Sequence, residues 1–149
     1  MSQTIVALAT PLGRSGIGVI RLSGESSLAI ARKLIKDENF NPKPRFSNLK
    51  KIYEIESGEL IDETIITYFQ SPQSFTGEDV IEIASHGSPV ILRQIIDNCL
   101  ELDARMAEAG EFSLRALING RMNLSQAEAI RDLIDAQTVA SARQSIRQL

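Results

Sequence analysis

Residues 80–100 join a β-type run to a helix start, and this junction constrains the fold more than any other stretch of the chain. The run VIEIAS at 80–85 is rich in β-branched residues and is typical of a strand. After a short turn, Ser88 is a suitable N-cap, and Pro89 occupies the first helical position, where its missing N–H group is not needed. The apolar residues that follow recur at helical spacing. The stretch therefore predicts a strand and an amphipathic helix joined by a turn.

Further short strands and helices are predicted along the chain. The β-type runs are TIVALA at 4–9, GVIRL at 18–22, KKIYEI at 50–55 and ETIITYF at 63–69. The last two flank the turn SGEL and predict a hairpin. Helices are predicted at 25–35 and from Glu111 to Asn119, the second ending at Gly120. A last helix opens with a capping-box pattern, Ser125 and Glu128. The sum is an α+β domain with a mixed β-sheet and packed helices, followed by a helical extension.

Composition limits the class of protein. With 149 residues, of which 43% are hydrophobic, the chain has the make-up of one globular domain, or of one domain and a piece of another. Its single cysteine, Cys99, excludes an internal disulfide and fits a reducing compartment. No apolar run approaches the roughly 18 residues of a membrane span, and the first residues lack a signal-peptide pattern. We therefore expect a cytoplasmic protein with no membrane partner.

Common catalytic and metal-binding motifs are missing from the sequence. One histidine, His86, and one cysteine do not provide the ligand spacing of a zinc site. There is no G-x-x-x-x-G-K-S/T phosphate loop, and Arg21 stands where a G-x-G-x-x-G motif needs its third glycine. A Ser–His–acid triad through His86 is conceivable, but no nucleophile-elbow sequence supports it. We predict no catalytic residue and no metal ligand here, and a binding function in preference to catalysis.

Glu82 is the unusual residue of the predicted strand at 80–85. Alternate strand residues share a face, so Glu82 lies on the same face as the apolar Val80 and Ala84. Either its carboxylate points into water, or it is covered and needs hydrogen-bond donors. A guanidinium group, or the aminopyrimidine edge of a pterin or guanine, offers two parallel N–H donors that suit a carboxylate. Glu82 is therefore a candidate ligand-binding residue.

Two arginines present similar alternatives. Arg21, in the run GVIRL, either packs its stem along the sheet with its head in water, or binds an anionic ligand or Glu82 itself. Arg121 follows the helix end at Gly120, and its residue type alone indicates no more than a surface charge.

Three long motifs resemble a known family. ATPLGRSGIGVIRLSG, SFTGEDVIEIASHGSPVIL and AGEFSLRALINGRMNLSQAEAIRDLIDAQT are similar, in order and spacing, to the N-terminal region of the MnmE (TrmE) family of tRNA modification GTPases. The resemblance covers nearly the entire chain. It implies a fold similar to the tetrahydrofolate-binding domain of aminomethyltransferases, with residues 1–120 as a folate-binding and dimerisation domain. Residues 121–149 would then be the first helix of a truncated helical domain, with the GTP-binding domain absent from this chain.

The resemblance also implies cofactors and partners. Members of the family bind a tetrahydrofolate derivative, 5-formyl- or 5,10-methylene-, and form homodimers. Together with the flavoprotein MnmG they modify the wobble uridine of certain tRNAs, and their GTP hydrolysis depends on potassium and magnesium. This chain alone is expected neither to bind nor to hydrolyse GTP.

Three residues match the family's folate contacts. They are Arg21 in V-I-R-x-S-G, Glu82 at the end of T-G-E-D-V-x-E, and Arg121, where many members have lysine. The resemblance implies that Glu82 meets the pterin edge. A further family lysine has no counterpart in this sequence, and Ala109 replaces a frequent proline.

Two other functions remain open from the sequence. The chain would be a purely structural dimerisation domain if the missing lysine is required for folate binding. It would be a one-carbon transferase, like the aminomethyltransferases, only if it turns over methylenetetrahydrofolate.

Overall fold

The computed structural model describes residues 3–10 and 16–132. Within these ranges there are six strands and three complete helices, followed by helical residues 124–132. In chain order they are β1 (Ile5–Leu8), β2 (Ile17–Ser23), α1 (Ser27–Leu34), β3 (Ser47–Tyr53), β4 (Leu60–Phe69), β5 (Val80–His86), α2 (Pro89–Glu101), β6 (Arg105–Met106) and α3 (Glu111–Ile118).

The six strands form one mixed sheet in the order β3–β4–β5–β2–β1–β6. Strands β1 and β6 run parallel, and the other four neighbouring pairs are antiparallel. The predicted α+β class with a mixed sheet and packed helices is therefore confirmed.

The hydrophobic core lies between one face of the sheet and helices α1 and α2. Fully buried strand residues such as Ile20, Ile66 and Ile83 pack in one cluster with Leu34 of α1 and Ile95 of α2. Because successive strand residues point to opposite faces, the residues between them point away from these helices. We call this second side of the sheet the open face; it carries Val19, Arg21, Leu49, Ile65, Glu82 and Ala84.

The predicted helix start at residue 88 is confirmed. Ser88 has extended backbone angles, and its Oγ accepts a hydrogen bond from the Ile91 N–H, with Pro89 as the first helical residue. The side chain of Cys99 is fully buried in the core beneath this helix, as its place on the apolar stripe predicts. Burial raises the pKa of the Cys99 thiol to about 12, so this residue serves packing and is unreactive.

The capping box predicted at Ser125 and Glu128 is wrong, because the helix begins earlier. The Asn123 side chain accepts a hydrogen bond from the Gln126 N–H at 2.8 Å, and the Gln126 side chain accepts one from the Asn123 N–H at 3.0 Å. Asn123 and Gln126 therefore form the reciprocal pair that satisfies the first N–H groups of this helix. The sequence offers both pairs at the same spacing, and the one nearer the preceding turn caps the helix. The remainder of this helix, predicted to extend toward residue 149, lies outside the described residues beyond 132.

The two-residue strand β6 was not predicted, since no periodic pattern is visible over so short a segment. No helix in the described part of the chain has the length and apolar character needed to cross a membrane.

Candidate functional site

An ion pair between Arg21 and Glu82 lies on the open face. Strands β2 and β5 are antiparallel neighbours, and their register places Arg21 directly opposite Glu82. The Arg21 Nε and Nη2 atoms both donate to Glu82 Oε2, at 3.1 and 2.9 Å. The two side chains are 28% and 27% exposed, so the pair is partly covered but still reachable from solvent.

The geometry of this ion pair leaves binding capacity on both partners. Arg21 uses two of its donors on a single oxygen, although a guanidinium can meet both oxygens of a carboxylate in a fork. Among the described residues, Glu82 Oε1 accepts no hydrogen bond and Arg21 Nη1 donates none. A carboxylate has about four acceptor positions, so Glu82 can accept two further N–H donors without losing Arg21.

Two aromatic rings flank the Arg21 guanidinium. Its central carbon lies 5.4 Å from the centre of the Phe75 ring and 5.9 Å from that of Phe112. Phe75 belongs to the loop between β4 and β5, and Phe112 to the first turn of α3. Both distances are within the range of cation–π attraction. The arginine end of the ion pair therefore lies close to two aromatic rings.

The loop that carries Phe75 is tied down by its own side chains. The Asp79 carboxylate accepts hydrogen bonds from the Ser71 N–H at 2.8 Å and from the Tyr68 hydroxyl at 3.3 Å. Burial, with the Asp79 charge next, raises the pKa of Tyr68, so the phenol stays protonated and keeps its donor. Ser71 Oγ in turn donates to the Gly77 carbonyl at 2.8 Å.

A buried arginine, Arg115, joins this loop to α3. Its Nη1 donates to Glu78 Oε1 at 2.9 Å, and its Nη2 donates to the Gln3 carbonyl at 2.6 Å and to Glu111 Oε2 at 3.3 Å. Ser23, at the end of β2, also donates to Glu78 Oε1, at 2.7 Å. The network holds Glu78, three residues after Phe75, against α3, the helix that carries Phe112.

Sequence reasoning did not find Arg115. The available signal was its spacing from Glu111, four residues earlier on the same helix, which is the spacing of a helical ion pair. Arg115 is only 7% exposed, unlike an ordinary surface arginine, and this burial results from tertiary packing.

Glu111 is the second carboxylate of this network. Its Oε1 and Oε2 accept hydrogen bonds from Arg105 Nη1 and Nη2, and its Oε1 also accepts from the Glu108 N–H at 2.9 Å. The Arg105 hydrogen bonds, opposed by burial and assisted by the Glu108 N–H, lower the pKa of Glu111 to about 2. Glu111 is therefore ionised at any physiological pH, and its hydrogen bonds to Arg105 raise the pKa of that arginine.

Arg121 forms no hydrogen bond or ion pair with Arg21 or Glu82 in the described part of the chain. Its Nε donates to the Ser74 carbonyl at 3.0 Å, and it lines a separate open cleft of about 360 Å³. The residues lining this cleft are Arg45, Phe69, Gln73, Ser74, Phe75 and Arg121. Phe75 belongs to both places, since its ring lies beside Arg21 and also forms part of the cleft. The structure thus brings Arg21 and Glu82 together and places Arg121 in the adjoining cleft.

His86 is held by an acidic residue of the neighbouring strand. Its Nδ1 lies 2.8 Å from Asp62 Oδ1, and its backbone N–H donates to Asp62 Oδ2 at 2.9 Å. The His86 ring is 72% exposed, whereas Asp62 is 9% exposed. Among the described residues no serine hydroxyl is hydrogen-bonded to the imidazole, and no cluster of three or more His, Cys, Asp or Glu side chains could hold a metal ion.

An α+β domain with an ion pair on the open face of its sheet is the structural class that these residues define. A family model described as GTP-binding protein TrmE N-terminus matches residues 4–121. The chain therefore belongs to this family.

Curated relatives cover nearly the whole chain. It is 52% identical over 149 residues to a protein of Aromatoleum aromaticum (strain DSM 19018 / LMG 30748 / EbN1), and 49% identical over 148 residues to one of Dechloromonas aromatica (strain RCB). A third, from Acinetobacter baumannii (strain AYE), is 51% identical over 146 residues. Each relative is named tRNA modification GTPase MnmE. The alignments cover 100%, 99% and 98% of this chain and 32% of each relative, so the chain spans about a third of their length.

Proposed function

We propose that this chain is the tetrahydrofolate-binding and homodimerisation module of a tRNA modification GTPase. The observation that carries the proposal is the Arg21–Glu82 pair, in which Glu82 Oε1 is unused and Phe75 and Phe112 flank the guanidinium. The aminopyrimidine edge of a pterin supplies adjacent N–H donors for Glu82, and its flat rings suit aromatic neighbours. The ligand is a 5-formyl- or 5,10-methylene-tetrahydrofolate bound in a fold like that of the aminomethyltransferases.

The remaining activities belong to the whole protein. GTP hydrolysis with potassium and magnesium, and modification of the tRNA wobble uridine with the flavoprotein MnmG, would depend on the two thirds of the relatives' length that this chain does not match. We expect the 149 residues alone to leave GTP unhydrolysed, because their sequence has no phosphate-binding loop of the G-x-x-x-x-G-K-S/T type. The proposed setting is the cytoplasm.

Homodimerisation has separate support on the open face. Leu49, Ile65, Ala84 and Val19 are cross-strand neighbours in a row across β3, β4, β5 and β2. Leu49 is 66% exposed and Ile65 is 44% exposed. This apolar row is exposed at Leu49 and Ile65 and half-buried at Ala84 and Val19, and a second copy of the chain would cover it.

Calorimetric titration with 5-formyltetrahydrofolate tests the folate site. We expect Glu82→Ala to weaken binding by about tenfold or more, because it removes a charged acceptor from a partly covered site. Glu63→Ala is the matched control, since Glu63 is an exposed carboxylate on the same face of the sheet, opposite Lys51. Equal binding by both variants would reject Glu82 as a ligand residue.

The same titration separates the alternatives. Absence of binding by the unmodified chain would favour the purely structural dimerisation domain. Turnover of methylenetetrahydrofolate, measured by release of the one-carbon unit, would favour a transferase; we expect none.

A further inference from the structure

The cleft beside Phe75 carries two positive charges from arginines that are not part of the Arg21–Glu82 pair. Arg45 and Arg121 both line it and are both exposed. Neither forms an ion pair within the described part of the chain, whereas Arg21, Arg105 and Arg115 each bind a carboxylate. None of the described residues that line the cleft is acidic. The cleft therefore favours an anionic ligand.

Both arginines are oriented by the protein before any ligand arrives. Arg45 has a positive φ of 70°, its N–H donates to the Tyr68 carbonyl at 2.7 Å, and its Nη2 donates to Gln73 Oε1 at 3.1 Å. A non-glycine residue in this left-handed conformation is uncommon and is held there by its surroundings. Arg121 is fixed by its backbone N–H to the Ala116 carbonyl at 2.7 Å and by its Nε to Ser74.

These bonds leave donors of both guanidinium groups free. Arg45 keeps Nε and Nη1, and Arg121 keeps both of its Nη atoms, with no partner in the described residues. Held guanidinium groups lose little conformational entropy when they bind carboxylates, so they are efficient anion ligands.

Phe75 connects this cleft to the Arg21–Glu82 pair. Its ring lies 5.4 Å from the Arg21 guanidinium carbon, and it also lines the cleft together with Phe69. A ligand that reaches from one place to the other needs a head that binds Glu82, an aromatic middle, and a carboxylate end. A tetrahydrofolate has these three parts in this order.

We infer that the Arg45–Arg121 cleft binds the glutamate tail of the folate, and that Arg45 makes the domain selective for folates with several γ-linked glutamates. The inference rests on the proposed folate function. Each added glutamate brings one more carboxylate to a cleft that has no acidic lining residue, so affinity should rise with tail length and fall with salt.

The test is a titration of the 149-residue chain with two ligands: the triglutamate of 5-formyltetrahydrofolate, and 5-formyltetrahydropteroate, which lacks glutamate. We expect the chain to bind the triglutamate about tenfold or more tightly, and Arg45→Gln to abolish most of this difference without weakening the pteroate. Arg121→Gln should also reduce the difference, which provides a second variant if Arg45→Gln does not fold. Lys43→Gln is the matched control, because it removes a positive charge two residues away and Lys43 does not line the cleft.

Each outcome decides between the two proposals. Equal binding of both ligands by the unmodified chain, or an unchanged difference in Arg45→Gln, would overturn the tail site and leave the folate function intact. If Lys43→Gln lost the preference for the triglutamate as fully as Arg45→Gln, the preference would come from net positive charge alone. That result would also overturn the tail site. Absence of binding by either ligand would overturn the folate function and the tail site together.

Discussion

The carboxylates of Glu82 and Glu111 differ in how many hydrogen bonds they accept from the protein. Glu82 meets one arginine and keeps an oxygen free, whereas Glu111 uses both oxygens on arginines and a backbone N–H. A group with all its acceptor positions engaged inside the protein acts in folding, and a group with positions left over can act in binding. This contrast separates structural from ligand-binding residues on neighbouring elements.

The lowered pKa of Glu111 predicts an acid-sensitive fold. Its pKa is about 2 in the folded chain against an ordinary 4.5, so its contribution to stability is complete above about pH 4.5 and is lost as the pH falls toward 2. Urea unfolding at pH 5 and pH 3 measures this loss. We expect Glu111→Gln to be less stable than the unmodified chain at pH 5 and to lose less on acidification. Equal losses in both chains would contradict a role for Glu111 in the acid sensitivity.

Loops and helices, more than strands, determine the shape of the site. The loop between β4 and β5 packs on the end of α3, where Asn119 donates to the Thr76 carbonyl at 2.8 Å. Gly77 lies at this contact with a φ of 82°, and a Cβ added there would lie 2.8 Å from the Cβ of Asn119. The contact between this loop and the end of α3 therefore requires glycine at position 77, both for its backbone conformation and for the space that it leaves.

Substitution of Gly77 by alanine should separate these two requirements. We expect Gly77→Ala to lower the free energy of unfolding by about 2–3 kcal/mol, from left-handed strain and the contact with Asn119. Gly120→Ala is the matched control: Gly120 has a φ of 72° with no atom within 4 Å of the added Cβ, so only the strain of about 1 kcal/mol applies. Denaturant melts of both variants measure the difference. Similar losses would show that the loop yields to the extra methyl group.

Prediction from the sequence succeeded for the strand at Glu82 and the start of α2, and it missed contacts that depend on tertiary packing. The helix start at Ser88 and Pro89 and the strand around Glu82 depend on neighbouring residues, and both are confirmed. Arg21 was a candidate partner of Glu82. Whether the two residues face each other, however, depends on the register of strands about sixty positions apart in the sequence. Phe75 and Phe112 come from a loop and a helix whose packing no periodic pattern records. The folate role of all three predicted residues, Arg121 included, stays a prediction.

At the scale of the whole molecule, the sheet has two unequal faces. One is covered by α1 and α2, and the open face carries both the Arg21–Glu82 pair and the apolar row from Leu49 to Val19. Ligand binding and self-association would then share one surface. A dimer that covers the row would place the second copy close to the ligand, so the two events should be coupled.

Self-association through the apolar row can be tested with a single charge. We expect Ile65→Lys to shift the chain from dimer to monomer in sedimentation-velocity experiments, because a lysine in the middle of the row would be buried without a partner. Val90→Lys is the matched control, since Val90 is an exposed β-branched residue on α2, at 67% exposure. A dimer that persists in Ile65→Lys, or one that is lost equally in Val90→Lys, would place the interface elsewhere.

The parallel pairing of β1 with β6 has a consequence for synthesis on the ribosome. Ile5 and Val6 find their outer neighbours only at Arg105 and Met106, and Thr4 accepts a hydrogen bond from the Arg105 N–H. Strand β1 therefore keeps one unpaired edge until the chain has been translated beyond residue 106. Contacts of such long sequence separation form slowly, and an unpaired edge is open to other nascent chains in the meantime. The residues of β1 are therefore made well before the strand that covers their outer edge.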